Sequence, residues 1–228
     1  FRKIETNKVV MCGIFGIATK SPNRFKESLA QKALDSLQHR GPDQVRDQKI
    51  HTKHAVYYVG VQRLNIVGGE EGIQPVLSKN EEWVVQLNGE IYNYRELRAE
   101  LEPLGYLFRS DTDTEVVLCA LDHWGVDALI RFNGMFALAL WDRKEKVLLI
   151  ARDRYGIKPL YYAKQGGKFL FASEQKAITA VQDFQKKLNA PALLEYMTFQ
   201  NIFSDQTLLH DIHLLPPGFY GFVSCKDG

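Results

Sequence analysis

Long apolar runs are missing from this 228-residue chain: no stretch approaches the length of a membrane-spanning helix, and no secretory signal opens it. A dominant charge is missing too. A net charge of +2, from 29 Lys and Arg against 27 Asp and Glu, offers nucleic acid no strongly basic surface. Cysteine is scarce: Cys12, Cys119 and Cys225 are odd in number and widely scattered, which fits a reducing cytoplasm. No CxxC or Cys/His spacing points to zinc, and His210 and His213 lack further ligands nearby, so no metal site is expected. Internal repeats and low-complexity segments are absent. What remains, with 45% hydrophobic residues, is enough core for one large domain or two small ones.

The most informative stretch is Met11-Cys12-Gly13-Ile14-Phe15-Gly16-Ile17-Ala18. Cys12, Ile14 and Gly16 face one side of a strand and Gly13, Phe15 and Ile17 the other; both sets are apolar or glycine, so the strand is expected to be buried on both faces. A methionine before a small residue is also a site of initiator-methionine removal. Were Met11 the start and removed, the mature chain would open with Cys12, whose thiol and α-amine then belong to one residue. An α-amine with a pKa of roughly 7.7–8.0 can act as base to that thiol. The bland alternative is an inert buried cysteine.

Periodicity places helices near 25–37, 94–104, 114–124, 174–180 and 191–198, and strands near 55–61, 83–87, 135–141, 147–151, 169–172 and 218–225. Strands come in pairs and so do helices, without sustained βαβ alternation. The expected class is α+β, with antiparallel sheets covered by outer helices. Phe1 in place of a methionine, and the Asp227-Gly228 turn signal with no strand after it, give the expectation of a fragment of a longer protein.

Four places gather polar groups in apolar surroundings. Arg63 sits at a strand exit, either solvated or able to grip a carboxylate with its planar fork. Asn88-Gly89 is a turn signal, yet the amide of Asn88 and the N–H of Gly89 are also two neighbouring donors of the kind an oxyanion requires. Glu90 and Asp113 are surface acids on the bland reading, Asp113 a possible helix cap, or else two groups able to hold an ammonium. Together with Cys12 these residues suit acyl transfer from an α-amino acid. Residue chemistry alone leaves the acyl group unspecified.

The sequence resembles the glutaminase domain of class II, N-terminal-nucleophile glutamine amidotransferases, and within them that of glutamine-hydrolysing asparagine synthetases. The resemblance rests on MCGIFGI at 11–17, HRGPD at 39–43, QRLNIV at 62–67, NGEIYNY at 88–94, SDTDTEV at 110–116, GMFALALWD at 134–142, RDRYGIKPLYY at 152–162 and FASEQKAI at 171–178. It implies a four-layer αββα sandwich of two antiparallel sheets, the N-terminal nucleophile hydrolase fold. It implies Cys12 as nucleophile, Asn88 and Gly89 as the oxyanion hole, Arg63 on the glutamine α-carboxylate, Glu90 and Asp113 on its α-ammonium, and the backbone of Leu64, Ile66 and Val67 along the pocket. Gln62 and Gly68 depart from residues common at those positions, without touching a catalytic assignment.

Residues 1–11 are then expected to be an upstream extension or propeptide, and 12–228 the glutaminase domain, truncated before a C-terminal synthetase domain in the same chain. Glutamine would give glutamate and ammonia through a Cys12 thioester, the ammonia serving ATP-dependent asparagine synthesis from aspartate in a cytoplasmic enzyme. No cofactor is expected in this domain; ATP and Mg²⁺ belong to the missing one, since no Ser-Gly-Gly-x-Asp-Ser block is present. A homodimer is a further expectation. Two alternatives stay open: another asparagine-synthetase-like amidotransferase, modifying polysaccharides or exported proteins, or a non-catalytic binding module with the same fold.

Overall fold

A computed structural model describes residues 11–20, 22–51, 55–65, 72–181 and 184–224. Most of the expected extension, Ile66 and Val67 of the expected pocket, and Cys225 lie outside the described residues.

Two antiparallel sheets make the fold. The first has the order β10-β8-β9-β1-β3-β2 and the second β11-β7-β6-β5-β4. In the first sheet β1 is Gly13–Thr19, β2 Gln44–His51, β3 Val56–Arg63, β8 Tyr161–Gln165, β9 Lys168–Ala172 and β10 Ile212–Leu214. In the second, β4 is Val76–Leu77, β5 Trp83–Ile91, β6 Gly134–Asp142, β7 Val147–Arg152 and β11 Tyr220–Ser224. Helices α1 (Glu27–Asp35) and α5 (Gln175–Thr179) cover the first sheet, and α2 (Tyr94–Leu101) and α3 (Asp113–Trp124) the second. Short α4 (Ala128–Arg131) and α6 (Ala190–Phe199) complete the set, and α6 buries only Ala192.

Side-chain alternation along β1 explains the layering. Ile14 and Ala18 point between the sheets, into a core with Tyr57, Val84, Ala137, Ala139 and Trp141. Phe15 and Ile17 point the other way, onto Ala30, Ala33, Leu34 and Leu37 of the α1 region and Ile178 of α5. Both faces of β1 are thus removed from water, as the apolar alternation anticipates, at about 1.5–3 kcal/mol for each large side chain buried. The ring of Tyr57 stacks on that of Trp141 across the gap at 3.4 Å between centroids. Polar side chains also enter this layer: the Gln86 amide, on β5, donates to the Gly60 carbonyl at 2.7 Å and the Phe15 carbonyl at 3.3 Å, tying the second sheet to the first.

Three local expectations need correction. The strand from Trp83 does not stop at Asn88 but runs to Ile91, with Asn88 opposite Ala137 and Gly89 opposite Phe136. The Asn-Gly signal is overridden because Gly89, at φ 150°, lets β6 approach so closely that a Cβ there would stand 2.0 Å from the Met135 carbonyl oxygen. Nothing in the sequence pattern announces β2, whose residues are mostly polar because it is an edge strand with only partial burial. Asp113 does not cap α3; the Thr112 side chain does, accepting from the Glu115 N–H, and Asp113 is the first helical residue.

Tight packing of β1 makes a prediction. A Cβ at Gly16 would lie 2.3 Å from the Phe171 ring. Gly16→Ala is expected to destabilise the fold by about 1–3 kcal/mol, as overpacked cores do. Urea unfolding of the two proteins measures this, and an unchanged midpoint would show a looser sheet interface than described.

Candidate active site

The antiparallel register that pairs Gly13 with Gln62 brings Cys12 to the exit of β3, where Arg63 ends the strand and Leu64 follows. The Leu64 N–H donates to the Cys12 thiol at 3.4 Å, and the thiol lies 3.7 Å from the Leu64 carbonyl oxygen. The second sheet supplies Asn88, Gly89 and Glu90 near the end of β5, and the first turn of α3 supplies Asp113. Cys12, Arg63, Leu64, Asn88, Gly89, Glu90 and Asp113 line one cleft. The structure therefore brings together every expected site residue that it describes.

Burial sets the character of each group. Desolvation pushes the Cys12 thiol above the ordinary thiol range; the Leu64 N–H and the Arg63 charge oppose this without cancelling it. Arg63 is buried at the cleft wall, donating to Gln44 Oε1 at 3.1 Å, and burial lowers its pKa while Cys12 and Asp113 work the other way. Asp113 accepts the Ile91 N–H at 3.0 Å and the Thr114 hydroxyl at 3.3 Å. Its carboxyl is raised above the usual range, by burial first, against the Ile91 and Thr114 bonds and with some help from Glu90. Asn88 is fully buried; its Nδ2 lies 3.4 Å from the Ser173 hydroxyl and its Oδ1 has no hydrogen-bond partner.

Behind Cys12 lies a charged anchor. Arg40 Nε donates to the Cys12 carbonyl at 3.1 Å while its Nη1 pairs with Glu174 at 3.0 Å. Glu174 also meets His39 at 2.9 Å and Lys176 at 3.2 Å. Burial would raise its carboxyl, but the hydrogen bonds from Arg40, His39 and Lys176 outweigh it and hold the group below its ordinary value. His39 and Arg40 come from the HRGPD stretch at 39–43.

Met11 also lines the cleft, and Gly72, Gln74, Thr112, Thr114, Met135 and Lys158, not singled out as site residues from sequence, complete it. Gln74 ties the β5 edge of the cleft to α3, accepting the Leu87 N–H at 2.8 Å and donating to Thr114 at 3.1 Å. No motif or periodicity in the sequence marks it. Lys158 is buried, its amine 2.6 Å from the Met11 sulfur, and desolvation lowers its pKa with Arg40 adding to the effect. Met11 itself thus occupies cleft wall beside the thiol. Among the described residues no cluster of three or more His, Cys, Asp or Glu could hold a metal ion, and no helix is long and apolar enough to cross a membrane.

Similar proteins carry a consistent message. The chain is 39% identical over 211 residues to glutamine-hydrolysing asparagine synthetase 1 of Bacillus subtilis, covering 91% of this chain and 33% of that protein. It is 36% identical over 179 residues to asparagine synthetase B of Escherichia coli, covering 75% of this chain and 30% of that one. It spans about a third of the length of these relatives. Two solved structures share the fold. An allosteric regulatory enzyme of purine biosynthesis has a TM-score of 0.62 at 24% identity, over 75% of this chain and 43% of its own. The glutamine phosphoribosylpyrophosphate amidotransferase of B. subtilis scores 0.59 at 22%, over 78% and 45%. Both likenesses are to the fold, and the two antiparallel sheets with outer helices are the sandwich expected from sequence. Residues 11–227 match the glutamine amidotransferase domain, and the chain belongs to that family.

Proposed function

We propose that this domain hydrolyses glutamine to glutamate and ammonia through a thioester on Cys12. The observation that carries the reading is the convergence, in one cleft, of a thiol, an arginine, two acids and an amide next in sequence to a glycine N–H. Arg63 would take the α-carboxylate of glutamine, and Glu90 with Asp113 the α-ammonium. The side-chain carboxamide then reaches Cys12. Sulfur attacks its carbon, the thiol proton passes to the Cys12 α-amine and on to departing ammonia, and water releases glutamate from the thioester. Asn88 and the Gly89 N–H stabilise the oxyanion in both halves.

This base exists only when Cys12 is the first residue, because a peptide bond from Met11 makes its nitrogen a planar, non-basic amide. We therefore read residues 1–11 as an extension to be removed. The backbone of Ile66 and Val67 would continue the pocket wall begun by Leu64. That the relatives are glutamine-hydrolysing asparagine synthetases about three times this length supports a synthetase domain in the same chain. That domain would use the ammonia to make asparagine from aspartate, and ATP and Mg²⁺ would bind there, with no residue of this chain assigned to them. The reducing cytoplasm, which keeps Cys12 a thiol, is the compartment this chemistry suits, and a homodimer of the longer chain is part of the same proposal.

Three outcomes are expected. First, a protein opening at Cys12 should release glutamate from glutamine, and one retaining Met11 should be about 10²–10⁴-fold slower, the usual contribution of a positioned base. Intact mass with a glutamate assay decides this; equal rates would remove the α-amine from the mechanism. Second, Asn88→Ala should lower kcat by about 10²–10³ with glutamine still bound, whereas Arg63→Lys should act chiefly on KM, having lost the planar fork. Third, Asp113 must be ionised to hold an ammonium, and its raised pKa moves protonation to higher pH than for an ordinary aspartate. KM for glutamine should then climb as pH falls, starting above the usual carboxylate range, and Asp113→Asn should raise KM and flatten that acid limb. A pH profile of KM unchanged by the substitution would exclude Asp113 from ammonium binding.

A further inference from the structure

Ser173 follows β9 in the first sheet, and Asn88 belongs to β5 in the second. Both are fully buried, so water cannot complete their hydrogen bonding. The Ser173 backbone N–H donates to the Ile14 carbonyl at 2.9 Å, and the Ile14 N–H donates back to the Ser173 hydroxyl oxygen at 3.0 Å. Ser173 is therefore locked to the strand that begins immediately after Cys12, with its hydroxyl turned toward the opposite sheet.

The hydrogen-bond inventory across that gap does not balance in the amide orientation drawn. Ser173 Oγ receives the Ile14 N–H and Asn88 Nδ2, the latter at a long 3.4 Å, while Asn88 Oδ1 lies buried with no partner. A hydroxyl has one proton to give, and here it faces another donor, while the unpartnered acceptor on the same amide, Oδ1, is turned away. The oxygen and nitrogen of an Asn side chain are interchangeable by a half-turn of the planar amide, and the hydrogen-bond network decides between them. After that half-turn the Ser173 O–H donates to Oδ1, the Ile14 N–H bond is kept, and Nδ2 stands on the arm away from Ser173. The Ser173 hydroxyl and Asn88 Oδ1 are then matched to each other, and Nδ2, in the buried place Oδ1 held, is the group without a partner within the protein, at the wall of the cleft that Asn88 lines.

We propose that Ser173 is a positioning residue that fixes the Asn88 amide with its nitrogen toward the reacting carbonyl, so that the oxyanion meets a donor and not an oxygen. The inference rests on the functional reading above and adds a residue to it. It also explains why one side chain touches both sheets here: the hydroxyl bonds the nucleophile strand and the oxyanion donor together, so their separation is set by a single group.

The test uses the protein opening at Cys12, with Ser173→Ala, Asn88→Ala and the double variant. Ser173→Ala should lower kcat for glutamine about tenfold or more and leave KM within twofold, since the substrate's α-groups are held elsewhere. On top of Asn88→Ala the same change should cost nothing further, because no amide remains to be oriented; a structural role would cost the same in both backgrounds. Melting temperature and mass confirm that each variant is folded. Should the alanine variant not fold, Ser173→Cys, similar in shape with only a weak donor, should give an intermediate kcat under reducing conditions. A parent-like kcat for Ser173→Ala, or a loss that simply adds to that of Asn88→Ala, overturns the inference alone. A parent protein that releases no glutamate overturns the functional reading and this inference with it.

Discussion

The cleft straddles the seam between two sheets, and everything it can do depends on how that seam is packed. Cys12, Arg63 and Leu64 belong to strands of the first sheet or their ends, Asn88, Gly89 and Glu90 to the second, and Asp113 to the helix lying on the second. No single loop carries the constellation. Apolar side chains press the sheets together, and that force has no direction, so it cannot by itself fix a distance to a fraction of an ångström. The few polar links across the layer do have direction. Gln86, bound to two carbonyls of the first sheet, sets the spacing deep in the layer, and the Ser173–Asn88 contact sets it at the cleft.

The same economy is visible in the charges. Arg40 holds the backbone carbonyl of Cys12 while being held by Glu174, and Glu174 is shared with His39 and Lys176. The nucleophile's backbone is therefore oriented from behind, leaving its front to the cleft. Arg63, facing that cleft, is instead steadied by Gln44 on the edge strand β2. An otherwise unremarkable polar edge strand thus has a task in the site.

What could be read from sequence follows the reach of each signal. The β1 pattern is local and periodic, and both its strand character and its two-sided burial were legible. Asn88-Gly89 was legible as a pair of donors, yet its place inside β5 was not, since the turn preference of Asn-Gly is local and the pairing with β6 that defeats it is not. Asp113 was legible as a helix-start acid, but which of two adjacent residues caps depends on side-chain direction, and Thr112 does it. Gln74, Ser173 and Lys158 carry no spacing of their own. Their meaning lies in partners 13, 85 and 147 residues away, a kind of information that one sequence does not display.

Gly89 leaves a last consequence. Its peptide N–H is one half of the proposed oxyanion hole, and the carbonyl oxygen of Met135 fills the space a side chain would need. A donor made of backbone survives any change of side chain, and here no change of side chain fits. The two halves of the hole therefore differ in how heredity can reach them: the Asn88 half can be strengthened, weakened or lost by a single codon, whereas the Gly89 half is tied to the crossing of two strands and can be altered only by altering the fold.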